Sequence, residues 1–428
     1  MLKSILFLNS IRKSQWFNYR RIEEIQKIRL KKILEHAYKN VKYYHKLFGL
    51  AGLQPNEIND AFDLSKIPVT SRAQLQNLSP DEIISKDHEV VKLIKLRTSG
   101  STGMPLNIFI SKSEARVRGI FSLRMLLEDG YKVTDKTLTI MDNRHFNHKK
   151  RYFQHCGIMR EVFVSPFLRL DKQFEIYKTF QPHVIKGYSS CIEDLAFKVN
   201  KDVETYYPEL IFCTGEVLNK SKRDFIKRIF NSEVFNYYSA MECGNIAWEC
   251  PSHTGYHINS EGLIVECINK NGKKAINGEK GKIVITSLYS YAMPLIRYEI
   301  GDIIYLSDKP CSCGRTLPLI ECIEGRIADY LISNDGSKIS SYLLEFAIEE
   351  MPEIKKYQVI QESVGKITVE IIKDNSITSE ILSKTEKILK KMIGGTIVIN
   401  FAMVDSIDKN PSGKFRTVIS NLRGDHVS

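Results

Sequence analysis

The sequence predicts an α/β protein: a large N-terminal domain of α/β layers with a β-rich part, followed by a small α+β C-terminal domain. Three observations predict it. Strand-like and helix-like runs alternate up to about residue 240, the pattern of a sheet covered by helices. After Gly244 the helices give way to strand-like runs separated by Asn-Gly turns, at Asn271-Gly272 and Asn277-Gly278. From about Gly325 both kinds of run mix again over about 100 residues, enough for a separate core.

Each element has its own justification. Ile22, Ile25, Ile28, Leu30, Leu34 and Ala37 recur at helical spacing, so 17–49 reads as helix. Pro55, Pro68 and Pro80 punctuate the loop-rich stretch that follows. Val90–Arg97 reads as a strand and Ser113–Glu128 as a helix. The alternating region supplies strands at Leu138–Met141, Val184–Lys186, Leu210–Thr214 and Val234–Tyr238. Between them lie helices at Phe174–Phe180, Cys191–Asn200 and Ser221–Phe230. In the β-rich part, about 245–325, strands are expected at Ile258–Ile268, Gly281–Ser287 and Asp302–Leu306. The last segment offers strands at Tyr330–Ser333, Tyr357–Glu362, Lys366–Lys373 and Thr396–Met403, with helices at Ser341–Met351 and Ser379–Met392. Domain limits of 1–325 and 326–428 follow.

Composition narrows the function classes. Hydrophobic residues make up 43% of the 428 and charged residues 26%, a globular balance that excludes disordered, collagenous and disulfide-dense chains. No apolar run approaches the ~18–20 residues of a membrane span, and the Met1–Leu8 patch is too short for a signal peptide. A cytoplasmic protein is expected. The formal net charge is +12, but residues 1–50 carry +9 of it, with 12 basic and 3 acidic side chains. Such a distribution does not match a groove-sized nucleic-acid face. It fits a solvated helical face, or weak attachment to an anionic membrane surface or an acidic partner. Nine cysteines, an odd number, argue against a disulfide framework.

The strongest motif is Thr98-Ser99-Gly100-Ser101-Thr102-Gly103-Met104-Pro105, between a strand and a helix. Its glycines permit unusual backbone angles, and its hydroxyls and N–H groups suit a polyphosphate. It is no Walker A loop, because Met104-Pro105 stands where Gly-Lys-Ser/Thr belongs. A second motif, Cys311-Ser312-Cys313, supplies two of the four ligands of a tetrahedral zinc site. Upstream, Glu249–His257 offers one cysteine and two histidines. The best set is Cys250, His257, Cys311 and Cys313, with His253 as the substitute for His257. With four protein ligands the zinc would be structural.

The octapeptide resembles the phosphate loop T-S-G-S-T-G-x-P of the adenylate-forming superfamily of acyl-CoA synthetases, peptide-synthetase adenylation domains and luciferases. Four further segments resemble its landmarks in order: Tyr238–Glu242, Arg297–Asp302, Gly325–Asp329 and Asn410–Arg416. Cys311–Arg315 and the short chain resemble the phenylacetate–CoA ligase branch, and within it the CapK-like members. Some relatives in that branch carry zinc near this place.

The resemblance implies ATP-dependent conversion of a carboxylic acid to an acyl-adenylate, then transfer to a thiol of CoA or a carrier. It implies roles residue by residue. Thr98, Ser99, Gly100, Ser101, Thr102 and Gly103 would hold the β- and γ-phosphates. Gly215, Glu216 and Tyr238 would contact the adenine side. Glu242 would bind Mg²⁺, an oxygen-seeking ion. Asp302 would accept from both ribose hydroxyls, and Arg326 would reach ribose and phosphate. Lys414 would bring its charge to the α-phosphate, where negative charge develops. The C-terminal domain would rotate between the two half-reactions, about a hinge where Ala328 replaces the usual polar residue. Asn143, His145, Phe146, Tyr188, Ser189, Tyr237 and Ala240 would line a pocket for a small or aromatic acid. Alternatives are a non-thiol acceptor such as an amine or hydroxyl in polysaccharide biosynthesis, AMP transfer, or a non-catalytic nucleotide-binding scaffold.

Overall fold

A computed structural model describes the chain except for Met1 and residues 99–105, 143–151, 201–205, 277, 327–329, 335, 337, 340–343, 345–347, 349–350, 352, 355, 375, 394–396, 411–412 and 423–428, together with the side chains of Tyr152, Phe153, Arg326, Lys338 and Met392. Two units partition it: residues 1–135 with 235–323, and residues 136–234 with 324–428.

Helices α1 (Leu2–Ser14), α2 (Tyr19–Asn40) and α3 (Lys42–Leu50) open the first unit. Asn18 caps α2 by accepting from the Arg21 N–H. The sequence reads 17–49 as one helix, but the chain breaks it at Val41. This β-branched residue has an extended backbone and a buried side chain, and the turn lets Ala37 and Tyr44 share one core with Ile58, Leu64, Ile264 and Ile296. Short helices α4 (Arg72–Gln76) and α5 (Pro80–Ile83) follow. The expected strand from Val90 begins as a 3₁₀ turn, Val90–Lys92, so β1 is only Ile94–Arg97. It pairs antiparallel with β2 (Asn107–Ile110), ahead of α6 (Lys112–Glu128).

The second unit begins with β3 (Thr137–Ile140), α7 (Tyr152–His155), β4 (Glu161–Val164), α8 (Leu170–Phe180), β5 (Val184–Tyr188), α9 (Ser189–Val199), β6 (Leu210–Thr214) and α10 (Lys220–Phe230). The strands run parallel in the order β6-β5-β3-β4. Their apolar residues Leu138, Ile140, Ile185 and Ile211 are covered by Tyr177, Ile192, Leu195, Ile226 and Phe230 of the helices. Open parallel sheets bind ligands beyond the carboxyl ends of their strands. Here those ends deliver Tyr188 into Ser189-Ser190 and Thr214 into Gly215-Glu216.

In the first unit the β-rich part holds β7 (Glu233–Ala240), β8 (Gly244–Glu249), β9 (Tyr256–Ile258), β10 (Leu263–Ile268), β11 (Lys280–Ser287), β12 (Tyr298–Ser307) and β13 (Leu319–Arg326), ordered β10-β11-β12-β13-β9-β8-β7. The single strand expected at Ile258–Ile268 is two, split by the turn 259–262. That turn carries buried polar groups with a partner elsewhere: Arg124 of α6 pairs with Glu261 at 2.6 Å and donates to Asn259. Arg297 is likewise tied inward, to Glu266 at 3.0 Å and to the carbonyls of Ser65 and Ile67.

The second unit resumes with the hairpin β14 (Leu331–Ile332) and β15 (Lys338–Ile339). A mixed sheet follows, ordered β18-β17-β16-β19, of β16 (Tyr357–Ser363), β17 (Lys366–Ile372), β18 (Val398–Val404) and β19 (Val418–Ser420). The helix Ser379–Ile393 packs Leu389 and Ile393 against Val359, Val369 and Ile371. The helix expected at Ser341–Met351 lies largely outside the described residues, though Leu344 and Ile348, four apart, are buried in this core. Among the described residues no helix is long and apolar enough to cross a membrane.

Candidate active site

In the first unit the sequence motifs converge on one carboxylate. Glu242, between β7 and β8, is 4% exposed. The Tyr298 hydroxyl donates to its Oε1 at 3.2 Å, and Arg72 Nη1 lies 3.7 Å from the same oxygen. Burial, with the charge of Glu242 adding to it, pushes the Tyr298 phenol well above its ordinary range, so it stays a donor. Arg118 of α6 fixes the backbone there, donating to the carbonyls of Met241 at 2.8 Å and Glu242 at 2.6 Å. One buried carboxylate, with phosphate oxygens to complete the shell, is the donor set that Mg²⁺ takes.

Thr98 stands at the mouth of the predicted phosphate loop. Its hydroxyl accepts from Arg72 Nη2 at 2.6 Å and from the Leu106 N–H at 2.9 Å. Ser99, Gly100, Ser101, Thr102 and Gly103 lie outside the described residues. Arg72 thus links Thr98 to Glu242, a connection that sequence reasoning missed. It reaches them because Thr70 bridges to β12, giving its N–H to the Arg297 carbonyl at 2.8 Å and accepting from Glu299 at 3.0 Å. In the same unit the Tyr238 hydroxyl donates to Asp302 Oδ2 at 2.5 Å.

In the second unit Lys414 meets the Gly215-Glu216 segment, almost 200 residues away in sequence. Glu216 Oε2 accepts from the Ser189 hydroxyl at 3.0 Å and the Ser190 N–H at 2.8 Å. Its Oε1 accepts from the Ser190 hydroxyl at 2.9 Å and the Phe415 N–H at 2.6 Å. One carboxylate therefore caps the N-terminus of α9, whose own N-cap residue Tyr188 makes no side-chain cap bond, and also holds the residue after Lys414. The Lys414 ammonium lies 5.5 Å from the centre of the Tyr188 ring. Two glycines make this approach possible. Gly215, at φ +77°, would place a Cβ 3.1 Å from the Tyr188 ring and 3.2 Å from Lys414 Cε. Gly413, at φ +78°, would place one 2.3 Å from Pro166 Cγ. A second carboxylate joins the same surfaces: Asp194 of α9 pairs with Lys356 at 2.5 Å and Lys409 at 3.1 Å. Sequence reasoning missed Asp194 as well; an acid on a helix carries no local sign of distant partners.

Of the other expected residues, Asn143, His145, Phe146 and Ala328 lie outside the described residues, as does the side chain of Arg326. Tyr237 and Ala240 fall on β7 in the first unit; Tyr188 and Ser189 sit at the β5–α9 junction in the second.

The candidate metal ligands come together in the first unit. The ligand atoms of Cys250, His257, Cys311 and Cys313 all lie within 4.8 Å of one another. Cys250 Sγ is 3.6 Å from Cys311 Sγ, and Cys313 Sγ is 3.3 Å from His257 Nε2. His253 is elsewhere: its Nδ1 lies 3.3 Å from Glu249, and its ring stacks on Phe235. Burial, aided by Arg315, pushes the His257 imidazole down to about 4, which keeps it in the neutral, ligating form. Burial would push the Cys311 thiol up, but hydrogen bonds from Thr254, Cys313 and Cys250 outweigh it and hold it at about 7. Three thiols and a neutral imidazole are a zinc donor set.

With the geometry in view, residues 331–421 match the CapK C-terminal domain family. The chain is 25% identical to Protein CapK of Staphylococcus aureus over 413 residues, covering 94% of this chain and 89% of that protein. It is 25% identical to the phenylacetate-coenzyme A ligase of Thermus thermophilus over 433 residues, covering 93% and 96%. Among solved structures, a 2-hydroxyisobutyryl-CoA ligase in the postadenylation state, in complex with R3-HIB-AMP, superposes with a TM-score of 0.80 at 16% identity, covering 95% and 91%. The fold is that of solved CoA ligases. Within that class the likeness runs almost end to end with CapK and the phenylacetate–CoA ligases.

Proposed function

We propose that the protein is an AMP-forming acid–CoA ligase, which joins a carboxylic acid to ATP as an acyl-adenylate, releases pyrophosphate, and passes the acyl group to the thiol of CoA. The observation that carries this reading is the seating of the Lys414 loop on Gly215-Glu216 at the carboxyl end of the parallel sheet. A mobile point charge is brought to the edge where such sheets bind nucleotides.

Each residue then has a task. Attack by the acid oxygen on the α-phosphorus spreads negative charge over phosphate oxygens, and Lys414 is the cation that meets it. Thr98 and the residues after it hold the β- and γ-phosphates, with Arg72 fixing the Thr98 hydroxyl. Glu242 would hold Mg²⁺, which supplies neutralisation of phosphate charge when bound. Asp302, oriented by Tyr238, accepts from the ribose hydroxyls, and Arg326 is the cation the resemblance assigns to ribose and phosphate. Rotation of the lid domain, residues 326–428, withdraws Lys414 and admits the thiol. Cys250, His257, Cys311 and Cys313 would hold a structural zinc, tying β9 to the 311–313 turn.

The acid is small or aromatic on this reading, given the mix of aromatic and polar residues that the resemblance assigns to its pocket. A second reading keeps the adenylation and passes the acyl group to a sugar hydroxyl or amine, as the resemblance to CapK-like chains implies. ATP–pyrophosphate exchange across a panel of acids tests the first step, and acyl-CoA formation with the active acid tests the second. Exchange without acyl-CoA formation would favour the second reading. No exchange with any acid would sink both.

A further inference from the structure

The N-terminal helices leave a basic and apolar face uncovered by the described residues of the unit they belong to. Helix α1 is fixed on its inner side: Phe7 meets the Phe121 ring edge-on at 5.8 Å, and Ile11 is buried, its carbonyl accepting from Arg124 at 3.0 Å. Ser14 donates to Glu261 at 2.6 Å. The helix therefore cannot roll to hide its other side. That side carries Leu2, Ile5 and Leu6, at 70%, 48% and 59% exposure, spaced i, i+3, i+4 as one stripe. Trp16 and Tyr19, at 49% and 55%, continue the exposed apolar surface into the start of α2. Lys3 and Lys13 flank the stripe, and the outer face of α2 adds Arg20, Lys27, Lys31 and Lys32, against one exposed acid, Glu24.

We infer that this face docks on an anionic membrane surface. An apolar stripe with aromatic residues at its end suits the boundary between headgroups and acyl chains, and surrounding lysines suit anionic headgroups. No other candidate fits both halves. A second copy of this chain would set these six cations, with one acid, against the same six across a two-fold interface. A nucleic-acid backbone would reward the lysines and leave Leu2, Ile5 and Leu6 in water. The inference does not depend on the reaction proposed above, since none of these residues belongs to the site.

The test is co-sedimentation of the full chain with vesicles containing about 30% phosphatidylglycerol in phosphatidylcholine, against pure phosphatidylcholine, at low and high salt. Binding is expected to the anionic vesicles at low salt, with release near 0.5 M salt, roughly where the screening length falls below 5 Å. Leu2→Ser/Ile5→Ser/Leu6→Ser should weaken it about tenfold or more, from lost apolar burial. Lys27→Glu/Lys31→Glu/Lys32→Glu should abolish the salt-sensitive part. All six positions are exposed, so circular dichroism should report unchanged folding. Absence of binding at low salt, equal binding to neutral vesicles, or wild-type binding by the triple serine variant would overturn the proposal. A concentration-dependent dimer lost in that variant would assign the face to self-association instead. Retention on a polyglutamate matrix without vesicle binding would assign it to an acidic protein.

Discussion

Glu216→Gln is the most informative single change, because the side chain keeps its size while one accepting oxygen becomes a donor. Oε2 serves the Ser190 N–H at 2.8 Å and Oε1 serves the Phe415 N–H at 2.6 Å; neither amide can reverse its role. The two serine hydroxyls can. An amide side chain satisfies one N–H only, and the helix terminus, set in the rigid sheet core, keeps the oxygen. The amide nitrogen then faces the Phe415 N–H, donor against donor. Loss of a charge-assisted hydrogen bond costs ~1.5–3 kcal/mol, and about 2 kcal/mol reduces the docked population of the Lys414 loop roughly thirtyfold. Adenylation, followed by ATP–pyrophosphate exchange, should slow by about that factor with KM for ATP nearly unchanged. Thioester formation from pre-made acyl-adenylate should stay near normal. A thirtyfold rise in KM for ATP at unchanged kcat would show that Glu216 serves the nucleotide directly and does not anchor the loop. Equal slowing of both half-reactions would refute the anchoring argument altogether.

Four other outcomes are expected. Lys414→Ala should slow adenylation by ~10²-fold or more while sparing transfer from pre-made acyl-adenylate, measured by single-turnover kinetics. Asp302→Ala should weaken ATP binding, and the effect should appear in both directions of the exchange reaction. Metal analysis should find about one zinc per chain in the native protein, and Cys311→Ser should lose it and lower the melting temperature. Asp129, buried with no hydrogen-bond partner for either carboxylate oxygen among the described residues, is pushed up to about 9, first by burial and then by Glu249 and Glu128, against Arg315. Its folded pKa exceeds its unfolded one, so the folded state binds the extra proton and stability falls as pH rises from about 4 to about 9. Asp129→Asn should flatten that slope in melting curves taken across the range, with the gain largest at the alkaline end.

Much of this was legible because apolar periodicity and motif spacing are local. Strands Leu210–Thr214 and Val184–Tyr188 and the helices between them stand close to where their residues predicted. That Cys250, His257, Cys311 and Cys313 could meet was readable from residue types, and the geometry brings His257 to the three thiols and turns His253 to Glu249 and Phe235. What escaped was set by partners far along the chain. Val41 breaks a continuous helical pattern because its side chain is wanted in the core. Asn259 and Glu261 interrupt a strand to meet Arg124, more than 130 residues away. Arg72 and Asp194 carry no motif at all; each matters through what tertiary contacts bring to it.

The shared carboxylate of Glu216 has a consequence for amide exchange. It protects two backbone N–H groups whose openings differ in kind. That of Ser190 belongs to a helix packed on the sheet core, so it exchanges only when that core opens. That of Phe415 belongs to a loop, and it exchanges whenever the loop lifts away. With a common acceptor, the chemistry of the bond is nearly the same in both. The difference in protection between these two amides therefore measures the free energy of loop departure against a reference built into the same side chain. A bound ligand that favours one position of the loop would change the Phe415 rate and leave the Ser190 rate where it was.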